Sequence, residues 1–176
     1  MSLDTFTNEL ERLVGKFSRN QASYLSQVFM ERQLQMEFIE PLFLALGWDV
    51  ANKANNPPHL RDVVVEARVQ DRGHKKHADY TFCIAGQPRF VVETKKPSED
   101  LEDPRHILQL KNYAWGLSVR FAVLTNFCYT KVYAVPAAPV KTNPNEFLLE
   151  QVEFLQYLTK PHLLYDMLSR ELDLTP

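Results

Sequence analysis

The sequence predicts an α/β, or α+β, domain in which helices cover one central mixed sheet. Apolar residues recur at three- and four-residue spacing before position 46 and after position 104, which is typical of helices. Short apolar runs bounded by turn residues are typical of strands, and five occur, at 63–69, 77–84, 90–96, 121–125 and 131–135. Strand runs that are flanked and interrupted by helical segments favour a single sheet with helices on its faces.

Composition indicates one soluble globular domain. The 176 residues are 45% hydrophobic and 24% charged, enough for a single well-filled core. No apolar run is long enough to span a bilayer, and no signal peptide follows Met1. We expect the two cysteines, Cys83 and Cys128, to be reduced, and they are too few for a structural zinc site with five scattered histidines.

The helices are predicted from periodicity and end signals. The first covers residues 4 to 15 with Asp4 or Thr5 as its cap, and a long one covers residues 22 to 46. Pro41 should kink or divide the long helix, and Gly47 should end it.

Two further helices lie in the second half of the chain. One has Asp103 as its cap and Pro104 at its first position, and it continues to about Trp115. The other covers roughly residues 160 to 172, after a predicted loop at 136–144.

The second and third predicted strands form a hairpin. Residues 71–76 are predicted as a turn, and residues 85–89 as a five-residue loop between the two strands. With that loop, Asp79 lies across from Lys95, and Glu93 lies across from Thr81. Because side chains alternate along a strand, Asp79, Glu93 and Lys95 then share one face.

These charged residues are unusual for apolar strands. Charged side chains are rarely buried unless they are paired or bind a metal. Two carboxylates beside an ammonium group suit Mg²⁺ and phosphoryl chemistry. The alternative is a solvated surface ion pair, because Glu-x-Lys is common by chance.

A second polar pattern occurs on the helix that follows. Gln109 and Tyr113 are four residues apart, so they lie on the same helix face. Taken alone, this pair is better explained as two surface polar residues.

Together, the motifs resemble the PD-(D/E)xK nuclease superfamily in its form with a Gln-x-x-x-Tyr helix, through Asp79, Glu93-Thr94-Lys95 and Gln109-x-x-x-Tyr113. The chain is also similar to the N-terminal nuclease domain of type I restriction enzyme R subunits and of type IIG-like restriction-modification enzymes, through residues 31–42, 46–49, 78–80, 124–126 and 132–133. The resemblance covers about residues 25 to 172. Ala78 replaces a common proline, and Phe127 replaces a common glycine.

The resemblance implies a restriction-endonuclease-like core with a magnesium site. Asp79, Glu93 and the carbonyl of Thr94 would bind Mg²⁺, for which Mn²⁺ should substitute. Lys95 would orient or deprotonate the attacking water and offset charge on the phosphorane.

The resemblance also implies supporting residues on two helices. Glu31 would reach the metal through water, although Glu37 is an alternative for this early acid. Gln109 would position the scissile phosphate or Lys95, and Tyr113 would contact the DNA backbone.

The implied function is that of a Mg²⁺-dependent DNA endonuclease domain in a prokaryotic cytoplasm. Residues 1–176 would be a single nuclease domain, the N-terminal fragment of a larger restriction enzyme. Its partners would be double-stranded DNA and the methyltransferase, specificity or motor domains or subunits of that enzyme. ATP or S-adenosylmethionine would be used only by those other domains or subunits. The formal net charge of −2 argues against an independent DNA-binding module and fits DNA delivered by such partners.

Two other functions remain open from the sequence. One is an inactive domain of the same fold that binds nucleic acid or partner subunits. The other is a repair or RNA nuclease, since fold and metal site do not separate these substrates. The complete acid, acid and lysine set favours the active DNA endonuclease.

Overall fold

One mixed sheet of six strands organises the protein, as predicted. The computed structural model describes residues 2–71, 74–135 and 146–171. The spatial order of the strands follows the chain: β1 Val63–Asp71, β2 His74–Ile84, β3 Gln87–Thr94, β4 Phe121–Thr125, β5 Tyr129–Ala134 and β6 Leu148–Glu153. Neighbouring strands are antiparallel except for β3 and β4, which are parallel.

Helices cover both faces of this sheet. They are α1 Leu3–Arg19, α2 Gln21–Tyr24, α3 Glu31–Leu34, α4 Glu40–Ala45, α5 Pro104–Gly116 and α6 Pro161–Leu168, with a π-helical turn at Gln35–Ile39 and 3-10 turns at Pro58–Leu60 and Phe154–Gln156. Buried residues of α5 pack with Val91 and Leu124 on one face of the sheet. Buried residues of α1, α4 and α6 pack with Val92 and Val123 on the other.

The parallel pair depends on α5. Parallel neighbours need a crossover connection, and α5 supplies it between β3 and β4. The carboxylate of Asp103 accepts the N–H of Arg105 at 2.9 Å, and Pro104 occupies the first helical position. Both start signals were predicted, and the observed end at Gly116 lies within one residue of the predicted one.

The long helix predicted for residues 22–46 is wrong. The chain leaves α2 after Tyr24 and becomes helical again only at Glu31, and Val28 between them is 83% exposed. Around Pro41 the helix widens and does not break. The N–H of Glu40 donates to the carbonyl of Gln35, five residues back. Because proline has no N–H, it cannot continue the four-residue pattern, and the π turn directly before it accommodates this.

Two helix boundaries also differ from the prediction. The first helix extends from Leu3 to Arg19, and its cap is Ser2, whose hydroxyl accepts the N–H of Thr5 at 3.3 Å. The last helix ends at Leu168, and its predicted end at residue 172 lies outside the described residues. The predicted stop at Gly47 is confirmed for α4, since Gly47 has the left-handed φ of 94° that is common just after a helix end.

The predicted hairpin register is wrong by two residues. The loop contains only Ala85 and Gly86, both with positive φ, as in the tight turns that connect antiparallel strands. Tyr80 therefore pairs with Val92. Continuing that register brings Asp79 level with Glu93 and not with Lys95. A slip of two residues keeps the paired side chains of residues 80–82 and 90–92 on their predicted faces, whereas a slip of one would have reversed them.

Two strand assignments were missed. β2 begins at His74, within the predicted turn at 71–76. β6 was not predicted, because of its six residues only Val152 is buried and the alternation is weak. The predicted loop at 136–144 lies outside the described residues.

Both cysteines are buried and free, as predicted. Within residues 2–71, 74–135 and 146–171, no helix is long and apolar enough to cross a membrane.

The Gly86→Ala substitution should destabilise the fold. Gly86 has a φ of 77°, and an added Cβ would lie 2.5 Å from the backbone carbonyl oxygen of His59. Left-handed backbone alone costs an alanine about 1–2 kcal/mol, and the contact with a backbone atom adds to it. Thermal or urea unfolding of the variant measures the loss.

Gly15→Ala is the matched control for this substitution. Gly15 lies inside α1, and its added Cβ would meet only the end of the flexible Arg19 side chain, at 3.3 Å. Replacing a helical glycine by alanine should stabilise the protein by about 0.5–1 kcal/mol. Equal effects in the two variants would contradict the role given to the turn.

Candidate active site

The candidate site lies at the carboxyl end of β3, where β2 and β3 separate. β3 pairs with β4 as far as Thr94, whereas its pairing with β2 ends at Val92. β2 continues beyond that point along β1 alone. Crevices at the carboxyl ends of strands are the usual ligand sites of open α/β sheets.

Glu93 is the most buried acid of this site, at 3% exposure. Its Oε1 accepts hydrogen bonds from Lys95 Nζ at 2.7 Å and from Gln109 Nε2 at 2.9 Å. Its Oε2 is also buried, and it has no hydrogen-bond partner. Burial raises the pKa of Glu93 to about 7, and the charge of Asp79 adds to that shift.

Lys95 lies directly beyond the end of β3 and is paired with Glu93. Only 11% of its side chain is exposed. Burial favours the neutral amine, but the carboxylates of Glu93, Glu31 and Asp79 together outweigh it, so the pKa of Lys95 is raised. The lysine therefore remains an ammonium group at neutral pH.

Asp79 lies beside Thr94 at the point where the strands separate. Its Oδ2 accepts the backbone N–H of Thr94 at 2.7 Å and the hydroxyl of Thr94 at 2.7 Å. The N–H of Thr94 is available because β2 no longer pairs with β3 here. One oxygen of Asp79 is thus fixed by two donors.

The structure brings Glu31, and not Glu37, to this site. Glu31 begins α3, and its pKa is raised to about 7 by burial, an effect that Lys95 opposes and Asp79 reinforces. Glu37 instead pairs with Lys16 of α1 at 2.7 Å.

Gln109 and Tyr113 both face the site from α5. Gln109 Nε2 donates to Glu93 Oε1 and to the hydroxyl oxygen of Tyr113, the latter at 2.8 Å. Tyr113 is 5% exposed, so the alternative interpretation of this pair as two surface polar residues is wrong. One helix face therefore contacts the buried carboxylate directly.

Sequence reasoning missed one side chain of the site. Gln35, the first residue of the π turn, donates from Nε2 to the hydroxyl oxygen of Thr94 at 2.8 Å. Its spacing of four residues from Glu31 would have placed both on one helix face. That hint alone could not connect Gln35 to a strand 59 residues away.

The donor set fits a hard cation such as Mg²⁺. Glu93 Oε2 is a buried carboxylate oxygen without a partner, and burying such an atom is costly unless a cation or donor meets it. Among the residues described, no three acidic, histidine or cysteine side chains lie close enough to enclose a metal by themselves. Mg²⁺ needs no such enclosure, because it usually binds one or two carboxylates, several waters and a substrate phosphate.

Parts of known proteins are similar to this chain. The family described as the type I restriction enzyme R protein N terminus matches residues 60–141. The type II restriction enzyme and methyltransferase RM.Eco57I of Escherichia coli is 36% identical over 129 residues. That stretch is 72% of this chain but 13% of the relative, so the chain spans a small part of the relative's length.

A solved structure is also similar to the chain. It is a fragment assigned as the HsdR subunit of a type I restriction enzyme from Vibrio vulnificus YJ016, with 22% identity and a TM-score of 0.47. The match covers 69% of this chain and 25% of that one. Residues 60–141 thus match the family of the type I restriction enzyme R protein N terminus, the similarity that the motifs predicted.

Proposed function

We propose that this domain hydrolyses phosphodiester bonds in DNA with Mg²⁺, as the nuclease domain of a restriction enzyme. The observation that supports it best is the buried carboxylate of Glu93. One of its oxygens is shared by an ammonium and an amide group, and the other is buried without a partner. In a purely structural ion pair, the second oxygen would be expected to accept a hydrogen bond or to contact solvent.

Asp79 and Glu93 would bind the metal. Asp79 Oδ2 is occupied by Thr94, which leaves Oδ1 for the ion, and Glu93 offers Oε2. The backbone carbonyl of Thr94 would be a further ligand, and Glu31 would act through a water. When bound, the metal polarises the phosphate and lowers the pKa of the attacking water.

Lys95 would act on the water and on the developing charge. Its Nζ is fixed by one hydrogen bond to Glu93 Oε1, and an ammonium group has two further protons to donate. Those protons can orient the water and stabilise the phosphorane oxygens. The raised pKa of Lys95 fits this electrostatic role better than the role of a general base, which would need a neutral amine.

Gln109 would fix Glu93 and Lys95 relative to each other. Its amide donates to the same carboxylate oxygen as Lys95, so the two donors define the orientation of that carboxylate. Tyr113, which accepts the other amide proton, would contact the DNA backbone from the same helix face.

The relatives support a wider setting for the proposed activity. RM.Eco57I is named as both a restriction enzyme and a methyltransferase, and this chain matches 13% of it. The domain would therefore act on double-stranded DNA in a prokaryotic cytoplasm, together with methyltransferase, specificity or motor parts. ATP or S-adenosylmethionine would be used by those parts.

Metal binding should need both carboxylates. We expect Mn²⁺ or Ca²⁺ to bind with heat visible in titration calorimetry, and Asp79→Ala or Glu93→Ala to weaken that binding severely. Two close carboxylates repel each other unless a cation lies between them. Unchanged binding in both variants would remove the metal site from the proposal.

The same titration should depend on pH. Since the pKa of Glu93 is raised to about 7, its carboxyl is protonated as pH falls below 7, and the proton then competes with the metal. Binding should be stronger at pH 8 than at pH 6. Glu37→Ala, which removes an acid paired with Lys16 away from the site, is the control and should bind like the wild type.

Lys95→Ala should retain metal binding and lose cleavage. The lysine contacts Glu93 Oε1 and not the carboxylate oxygens proposed to bind the metal. Its removal also takes a positive charge away from the ion. Nicking of supercoiled DNA in Mg²⁺ by a parent chain that is active measures the second effect. The control is Lys16→Ala, which removes a partly exposed lysine of α1 and should leave cutting at the wild-type rate. Wild-type cutting by Lys95→Ala would show that the assigned role is wrong.

Tyr113→Phe should reduce cleavage roughly tenfold without changing metal affinity. It keeps the buried ring and removes one hydroxyl, and a lost hydrogen bond of about 1–1.5 kcal/mol corresponds to that factor. The control is Tyr24→Phe, since Tyr24 stacks on Phe17 in α1. If both variants cut alike, Tyr113 serves packing only.

A further inference from the structure

A line of side-chain hydrogen bonds leads from the helix surface to Asp79. Arg32 Nη1 donates to Gln35 Oε1 at 3.1 Å, and Gln35 Nε2 donates to Thr94 Oγ1 at 2.8 Å. Thr94 Oγ1 is in turn 2.7 Å from Asp79 Oδ2. The line therefore joins α3, the π turn, β3 and β2.

The direction of every hydrogen bond in this line is fixed by chemistry. A guanidinium group only donates, so the amide oxygen of Gln35 must face Arg32 and its NH₂ must face Thr94. The Thr94 oxygen accepts from that NH₂, which directs its single proton to Asp79. An ionised carboxylate only accepts, so the line ends there.

Arg32 is itself held from a second side. Glu40 Oε1 accepts from Arg32 Nη1 at 2.8 Å and from the hydroxyl of Tyr80 at 3.0 Å. Tyr80 is the residue after Asp79 on β2, so the contacts close into a ring. A closed ring restricts Gln35 more than one isolated hydrogen bond would, because each member limits the rotation of the next.

The burial of Thr94 strengthens the hydrogen bond between its hydroxyl and Asp79. Thr94 is fully buried, and hydrogen bonds shielded from water are stronger than exposed ones. Its N–H and its hydroxyl both bind Asp79 Oδ2. Two donors on one oxygen prevent the carboxylate from rotating and leave Oδ1 directed away from them.

We propose that Gln35 and the Thr94 hydroxyl are positioning residues that fix which oxygen of Asp79 is offered to the metal. This inference rests on the proposed metal site. The π turn is part of the device, since it places Gln35 over the end of β3 while α4 continues into the core. Partners of metal-binding carboxylates typically change metal affinity on the order of 10- to 100-fold when removed.

The test is Mn²⁺ titration calorimetry on the 176-residue chain with two substitutions at one position. Thr94→Val keeps the shape and removes the hydroxyl, and it should weaken Mn²⁺ binding by roughly tenfold or more. Thr94→Ser returns the hydroxyl and should restore most of the affinity. If Thr94 had only a structural role, Mn²⁺ affinity would not depend on whether the hydroxyl is present.

Thr81→Val is the matched control. Thr81 is 3% exposed on the neighbouring strand, and its hydroxyl has no hydrogen-bond partner. The substitution makes the same chemical change in the same sheet, and it should leave Mn²⁺ affinity unchanged. Thermal unfolding of all variants separates lost affinity from lost fold.

Gln35→Met provides a second, metal-free measurement and an alternative if Thr94→Val does not fold. In the wild type, the Thr94 hydroxyl proton should exchange slowly with water in proton NMR, because both of its neighbours hold it in place. Gln35→Met removes the donor to Thr94, so that proton should exchange faster and Mn²⁺ affinity should fall.

The outcomes separate this inference from the proposed function. If the wild type and Thr94→Val bind Mn²⁺ equally and Gln35→Met leaves the hydroxyl proton protected, the positioning role is overturned and the metal site stands. If the wild type itself binds no Mn²⁺, the metal site fails, and the positioning role fails with it. Weakened binding in Thr94→Val and Gln35→Met, with Thr94→Ser and Thr81→Val near wild type, supports the inference.

Discussion

The burial of the Glu93 carboxylate is the constraint on which the site depends. A carboxylate removed from water must be met by donors or by a cation. Glu93 is 3% exposed, and Lys95 and Gln109 both donate to its Oε1. The requirement is met by Lys95, two residues beyond Glu93, and by Gln109, which α5 presents to the end of β3. Without these donors, the end of a central strand could not contain an acid.

The two faces of the sheet meet at this strand end. Consecutive residues of a strand point to opposite faces, so Glu93 contacts α5 while Thr94 contacts the π turn. Asp79 becomes accessible to Thr94 because β2 leaves β3 at this point. The loss of strand pairing therefore frees the backbone donor that orients the second acid. Two local irregularities, a separated strand pair and a widened helical turn, therefore build the site at this strand end.

Sequence reasoning recovered the features that depend on local chemistry. The cap at Asp103 and the helix after it follow from side-chain and proline rules, and they were right. The hairpin itself was right, although its loop is shorter than predicted, and Asp79 contacts Thr94 at the end of β3 and not Lys95. β6 was missed because, as an edge strand with one buried residue, it shows too little alternation to be recognised.

The sequence by itself determined the fold class, the similarity to restriction enzyme N termini and the order of the acidic, lysine and Gln-x-x-x-Tyr motifs, because periodicity, caps and motif spacing are local properties. Only the tertiary structure decided that Glu31 and not Glu37 faces the site, and that Gln35 reaches Thr94. Both depend on the rotation of a helix relative to a distant strand. That rotation is set by packing and by one extra residue in the π turn, which spacing along the chain does not encode.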